Sequence, residues 1–204
     1  MRATRRPLVL TLFLLALVVF VVDQLTKIWA VAHLSGGGRT PVVGDLLGLS
    51  LLYNPGAALS FATGMTWVFT VAALVVAVVI VRVANRLGSW GWTVALGLLL
   101  GGALGNLADR LLRQPGFARG HVVDFIAYGN LFVGNVADIA IVAAALLVVL
   151  LTLRGIGVDG RRGDPSPDGR HAPAEESVEE TGSGGPADHE PRHARRADVA
   201  AEDG

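Results

Sequence analysis

The chain has 204 residues, is 52% hydrophobic and carries no net formal charge. With a mean hydropathy of +0.53, this is the balance of a membrane protein and not of a water-soluble domain. There is no Cys, which excludes disulfides, thiol catalysis, Cys-ligated metals and iron–sulfur clusters.

Four apolar stretches can cross a bilayer, at about 7–28, 66–84, 91–112 and 131–153. Each is near the ~20 residues a helix needs to span a ~30 Å hydrocarbon core. The first begins as a secretory signal would, with Arg2, Arg5 and Arg6 before an apolar run. Its run is long, and no small-x-small cleavage site precedes VVDQLTK, so it is expected to remain as a helix. The following stretch, RTPVVGDLLGLSLLYN, has two β-prone segments around Gly44-Asp45 and Gly48, the pattern of a hairpin. Asn54-Pro55-Gly56 leads into the second helix; taken alone, such a tripeptide is a turn. In the third helix Gly97, Gly101 and Gly105 form two overlapping Gly-x-x-x-Gly motifs, which predict close helix packing. HVVDFIAYGNLFV then places Gly129-Asn130 between two apolar-aromatic segments, a second hairpin signal. The expected fold is an all-α membrane domain over residues 1–154, four helices with a small sheet at one surface.

Residues 155–204 are rich in Gly, Pro, Asp, Glu and Arg. Such a segment buries too little apolar surface to offset its ordering entropy, and a disordered tail is expected. The zero net charge is a cancellation between the two parts. Residues 1–154 hold 11 basic and 5 acidic residues, and the rest holds 6 basic and 12 acidic ones. Basic residues flank the helices at Arg2, Arg5 and Arg6, at Arg82 and Arg86, and at Arg154, Arg161 and Arg162. The positive-inside rule then puts both termini, and the tail, in the cytoplasm. The loops at 29–65 and 113–130 face outward, although they too carry Arg39, Arg113 and Arg119.

The acids of the membrane part are Asp23, Asp45, Asp109, Asp124 and Asp138. Sixteen residues, Pro7 through Val22, precede Asp23, and sixteen, Thr93 through Ala108, precede Asp109; each run is roughly 24 Å of helix. The fourth helix runs the other way, with roughly 22 Å between Asp138 and Arg154. Three acids on three helices therefore converge near the outer edge of the hydrocarbon core, within reach of Asp124 in the outer loop. One such acid alone could be a solvated interfacial anchor. Several at one level, each costing a few kcal/mol in a membrane segment, mark a function. Asp45 reads as a plain turn residue. Lys27 lies at i+4 from Asp23 and can pair with it. Asn106 with Asp109, and Asn135 with Asp138, share a helix face at i,i+3, and Arg110 follows Asp109. His33 and His121 have no partner that the sequence identifies.

Two neighbouring carboxyls cannot both ionise cheaply, so the pair shares a proton and titrates as a unit. That state suits amide hydrolysis by general base and general acid, with no metal or cofactor and no covalent intermediate. A proton-coupled transporter is the alternative, but it would distribute its ionisable residues across the membrane. A scaffold protein, the third reading, would tolerate loss of the acids.

The blocks DQLTK (23–27), NPGAALSF (54–61), GGALGNLADR (101–110), GHVVDFIAYG (120–129) and NVADIAI (135–141) occur in this order. Together, over about residues 8–153, they resemble the bacterial lipoprotein signal peptidases, or signal peptidase II. The resemblance implies an aspartic endopeptidase of the cell membrane with its active site near the extracytoplasmic face. Its substrates would be prolipoproteins whose Cys carries diacylglycerol, cut just before that Cys, with no oligomer required. It implies Asp124 and Asp138 as the catalytic pair, and Asp23, Lys27, Asn54, Asn106, Asp109, Arg110 and Asn135 as residues that support the pair or touch substrate. It also implies a small outer β-cradle and an outer amphipathic helical segment. Two positions depart from the family pattern: Leu59 and Gly134 stand where Phe is usual.

Overall fold

The computed structural model describes residues 5–56 and 66–162; Leu59, the rest of 57–65 and residues 163–204 lie outside the described residues. Four helices, α1 (Arg5–Leu34), α2 (Thr66–Ala84), α3 (Trp90–Leu112) and α4 (Val136–Leu153), are each long and apolar enough to cross a membrane. Four strands, β1 (Thr40–Val43), β2 (Leu47–Asn54), β3 (Val122–Tyr128) and β4 (Phe132–Gly134), form one antiparallel sheet in the order β1-β2-β3-β4. Both expected hairpins are present, and β2 pairs with β3 to join them into one sheet.

Helix α3 is the most buried of the four and packs against the other three. Its glycines explain how. A Cβ on Gly101 would stand 2.7 Å from the Ala16 carbonyl of α1, and one on Gly97 would stand 3.1 Å from that of Leu12. Gly102, on another face, does the same for α4, where a Cβ would be 2.7 Å from the Ala137 carbonyl. Missing side chains thus let three backbones approach closely. At one end the core closes with Leu8, Leu12, Ala77, Ile80, Leu87 and Leu96.

Three boundaries differ from expectation. Helix α1 continues to Leu34 and stops at the Gly-rich run 36–38, because nothing between Lys27 and Leu34 breaks a helix. Helix α4 begins at Val136, not near 131. Gly129, with φ of 54°, turns the chain back into β4, and Asn135 then caps the helix. The Asn135 side chain accepts from the Asp138 N–H while the Asp138 carboxylate accepts from the Asn135 N–H, a reciprocal capping box. Finally, residues 155–162 are not an unstructured extension of α4. Trp92 Nε1 donates to the Ile156 carbonyl at 2.8 Å, and the Gly88 N–H donates to that of Val158 at 2.9 Å. Val158 also packs on the core, so this turn holds enough apolar contact to order itself against the α2–α3 loop.

Candidate active site

Five elements deliver the candidate residues, and all but Arg110 join one hydrogen-bonded layer. Helix α1 brings Asp23 and Lys27, α3 brings Asn106 and Asp109, β2 ends on Asn54, β3 carries Asp124, and the start of α4 carries Asn135 and Asp138.

Lys27 is the cation at the centre of the layer, and its side chain is fully buried. Its Nζ lies 2.8 Å from Asp23 Oδ2 and 2.8 Å from Asp109 Oδ2, and donates to Asn106 Oδ1 at 3.1 Å. The i,i+4 pairing with Asp23 expected from spacing is therefore present, with a second carboxylate added. The room for it comes from Gly105, where a Cβ would stand 2.5 Å from Asp23 Oδ2.

Each of those two carboxylates also accepts from backbone. Asp23 Oδ1 accepts from the Ala137 N–H at 2.9 Å, and Asp109 Oδ2 accepts from the Val123 N–H at 3.1 Å. Ala137 directly precedes Asp138, and Val123 directly precedes Asp124. One lysine thus joins two carboxylates, and each of these fixes the peptide just before one member of the candidate pair.

Asparagines hold the pair itself. Asp124 Oδ1 accepts from Asn135 Nδ2 at 2.6 Å, and Asp124 Oδ2 accepts from Asn54 Nδ2 at 2.8 Å. Asp138 Oδ1 accepts from Asn106 Nδ2 at 2.9 Å, and Asp138 Oδ2 from the Asn135 N–H at 3.0 Å. Asn135 therefore touches both acids, one through its amide nitrogen and the other through its backbone. Asn54 is also the turn residue its tripeptide suggested, since its Oδ1 accepts from the Gly56 N–H. On β3, Asp124 pairs with Leu52 of β2, which puts Asn54 at the diagonal position within reach. Burial pushes the Asp124 carboxyl up to about 6, against the lowering effect of its two amide donors; the Asp138 charge adds to the rise.

The exception is Arg110. Among the described residues it makes no ion pair and its buried Nη1 has no hydrogen-bond partner; its guanidinium carbon lies 5.1 Å from the centroid of the Phe69 ring. It still lies within electrostatic reach of Asp109, Asp124 and Asp138. Two further residues belong to the layer and were not singled out by sequence. Arg113 Nε pairs with Asp109 Oδ1 at 2.6 Å, a contact its i+4 spacing could have indicated. Gln24 Nε2 donates to Asp23 Oδ2 at 3.2 Å and to the Gly105 carbonyl at 3.1 Å; its adjacency to Asp23 gave no such signal. His33 stays local, with Nδ1 2.9 Å from the Trp29 carbonyl.

Comparison with known proteins gives the family. The model of the family described as signal peptidase (SPase) II matches residues 15–154. The chain belongs to the signal peptidase II family. It is 52% identical over 153 residues to the lipoprotein signal peptidase of Rhodococcus jostii, covering 75% of this chain and 77% of that one. It is 49% identical to that of Leifsonia xyli, over 74% of this chain and 70% of the relative. Against the Streptomyces coelicolor lipoprotein signal peptidase the identity is 46%, over 78% and 77%. A solved bacterial membrane enzyme structure, obtained by the in meso method, is similar with a TM-score of 0.62 at 27% identity, covering 71% of this chain and 93% of that chain. The family match ends at Arg154, so the ordered turn 155–162 lies beyond it.

Proposed function

We propose that this protein is a lipoprotein signal peptidase of the aspartic type. It removes signal peptides from prolipoproteins whose Cys carries diacylglycerol, cutting just before that Cys, with Asp124 and Asp138 as the catalytic pair. The observation that carries this reading is Asn135, which binds Asp124 with its side chain and Asp138 with its backbone N–H. One residue thereby ties together two acids fourteen positions apart in sequence, with Asp124 buried and Asp138 half-buried.

The charge of the layer favours a shared proton. Asp23, Asp109, Asp124 and Asp138 stand against Lys27 and Arg113 in the layer and Arg110 beside it, so the cluster including Arg110 is neutral when the pair holds one proton. The ionised member takes a proton from water as its oxygen attacks the scissile amide carbon. The protonated member gives its proton to the carbonyl oxygen, and a neutral tetrahedral diol results. Collapse of the diol returns a proton through the pair to the leaving nitrogen and restores the starting state. Asn54, Asn106 and Asn135 keep both carboxyls oriented throughout, and Asp23, Lys27 and Asp109 hold the peptides that carry them. Arg110, with an unused donor, is a contact for substrate oxygen. No cofactor or second subunit enters this chemistry.

Both termini are assigned to the cytoplasm and the acid layer to the extracytoplasmic side of the bacterial cell membrane. Exposed Arg6, Arg82, Arg86 and Arg154 lie at the helix ends away from the acids, which supports that orientation. The transporter alternative has less support, because the titratable groups of the described helices gather at their ends and in one layer.

The test is cleavage by purified protein of a synthetic precursor with and without its diacylglyceryl group. Cleavage before Cys of the lipid-bearing form alone is expected. Equal cleavage of both forms, or of neither, contradicts the reading.

A further inference from the structure

Arg110 is only 7% exposed, yet its Nη1 has no hydrogen-bond partner among the described residues. Carboxylates lie within its electrostatic reach, but other donors hold them. Asp109 has Lys27 and Arg113, Asp124 has Asn54 and Asn135, and Asp138 has Asn106 and the Asn135 N–H. What lies against the guanidinium is the Phe69 ring, with Arg110 Cζ over it at 5.1 Å from the centroid. Phe69 belongs to α2, the helix that brings no candidate residue to the layer.

The same ring meets the turn that carries Asn54. A Cβ on Gly56 would stand 2.7 Å from Phe69 Cε2 and 2.8 Å from Cδ2, so the bare glycine backbone is what admits the ring. Two hydroxyls of α2 fix its height. Thr66 Oγ1 donates to the Pro55 carbonyl at 2.8 Å, and Thr70 Oγ1 donates to that of Ala118 at 2.9 Å. Phe69 is thus held where it touches both the Asn54 turn and Arg110.

We propose that Phe69 is a positioning residue: its ring face holds the Arg110 guanidinium within reach of the acid pair and leaves Nη1 free for a substrate carbonyl oxygen. The inference rests on the prolipoprotein reading above and adds to it the residue that aims Arg110. An aromatic face attracts a guanidinium through its quadrupole and takes up none of its five N–H donors. A carboxylate would bind the same cation through two of those N–H groups and neutralise it. Held by a ring, Arg110 keeps both its charge and its donor beside Asp124 and Asp138, already oriented when substrate arrives. A buried donor left unpaired is destabilising, and substrate oxygen is the partner that completes this one.

The test replaces Phe69 in purified full-length protein by phenylalanines carrying one, two or three ring fluorines. Each fluorine weakens the attraction of the ring face for a cation and nearly preserves the shape of the side chain. For a diacylglyceryl-modified precursor, kcat/KM is expected to fall stepwise along the series, to about a tenth of the wild-type value at the end. The same series at Phe13, exposed on α1, is expected to leave it unchanged. A ring that only fills space would give one value at every degree of fluorination, and a flat Phe69 series overturns the proposal. Thermal unfolding in detergent checks the pair without turnover. Along the Phe69 series Tm should decline relative to the same series in Arg110→Met, where no cation remains to be held. Parallel Tm series in the two backgrounds overturn the proposal and leave the peptidase reading intact. Failure of the wild type to cleave the precursor counts against the peptidase reading, and the two Tm series still decide whether the ring holds Arg110.

Discussion

Replacing Lys27 by Met removes the one buried ammonium that serves both structural carboxylates. The side chains of Lys27, Asp23 and Asp109 are all fully buried, with both ion-pair contacts at 2.8 Å. Met approximates the volume of the lysine stem, so the loss is charge and not packing. Two carboxylates are then left facing each other, and Asn106 Oδ1 loses a donor. Breaking a buried ion pair from one side costs about 3–5 kcal/mol, which for a chain of this size corresponds to a fall in Tm of about 10 °C. The damage reaches the site through two hydrogen bonds, from the Ala137 and Val123 N–H groups to Asp23 and Asp109. If either peptide moves by about 1 Å, the cost in turnover is about 100-fold. Thermal unfolding in detergent, with cleavage measured well below the variant's Tm, separates the two effects. Adding Asp109→Asn to Lys27→Met relieves the repulsion and is expected to restore part of the Tm, since the sites are coupled. Lys27→Met with a Tm within 2 °C and turnover within about twofold of the wild type would refute this reasoning.

The raised Asp124 pKa gives a pH signature. Its folded value, about 6, lies above the ordinary value of 3.8, so its contribution to stability is complete below the ordinary value and is lost as pH rises through 6. Tm measured from pH 4 to 7.5 should show this downward component in the wild type and lack it in Asp124→Asn. Gly105→Ala places a methyl 2.5 Å from Asp23 Oδ2; a loss of at least about 2 kcal/mol in stability is expected from overpacking, with Gly36→Ala, which meets nothing within 4 Å, as the neutral comparison. Trp92→Phe removes the donor to Ile156 that holds the turn 155–162. It should increase amide exchange at Ile156–Val158 and lower stability by about 1 kcal/mol.

Much of this arrangement was legible because the forces that produce it leave periodic marks. Hydrocarbon thickness sets the length of the four apolar runs, and residue rise alone puts Asp23, Asp109 and Asp138 at one depth. The glycine spacing of α3 announced close packing, and Gly129-Asn130 announced a turn. The partners were less legible. Asn106 and Asp109 share a helix face, yet Asn106 serves Asp138 while Asp109 serves Val123 and Arg113. That division depends on which neighbour each meets, and this is a tertiary fact. The start of α4 was misplaced because residues 131–133 are apolar enough to continue the helix; the cap formed by Asn135 and Asp138 overrides them. Residues 155–162 looked too polar to order, but Ile156 and Val158 have a docking surface in the α2–α3 loop and Trp92 that composition does not reveal.

The most direct measurement is turnover of a diacylglyceryl-modified precursor by Asp124→Asn and Asp138→Asn, each purified and shown to unfold cooperatively. Each substitution removes a carboxyl needed for proton transfer while keeping the shape of the side chain, so each is expected to lower kcat by more than about 10³-fold with precursor binding retained. Wild-type turnover by either variant would contradict the assignment of the pair.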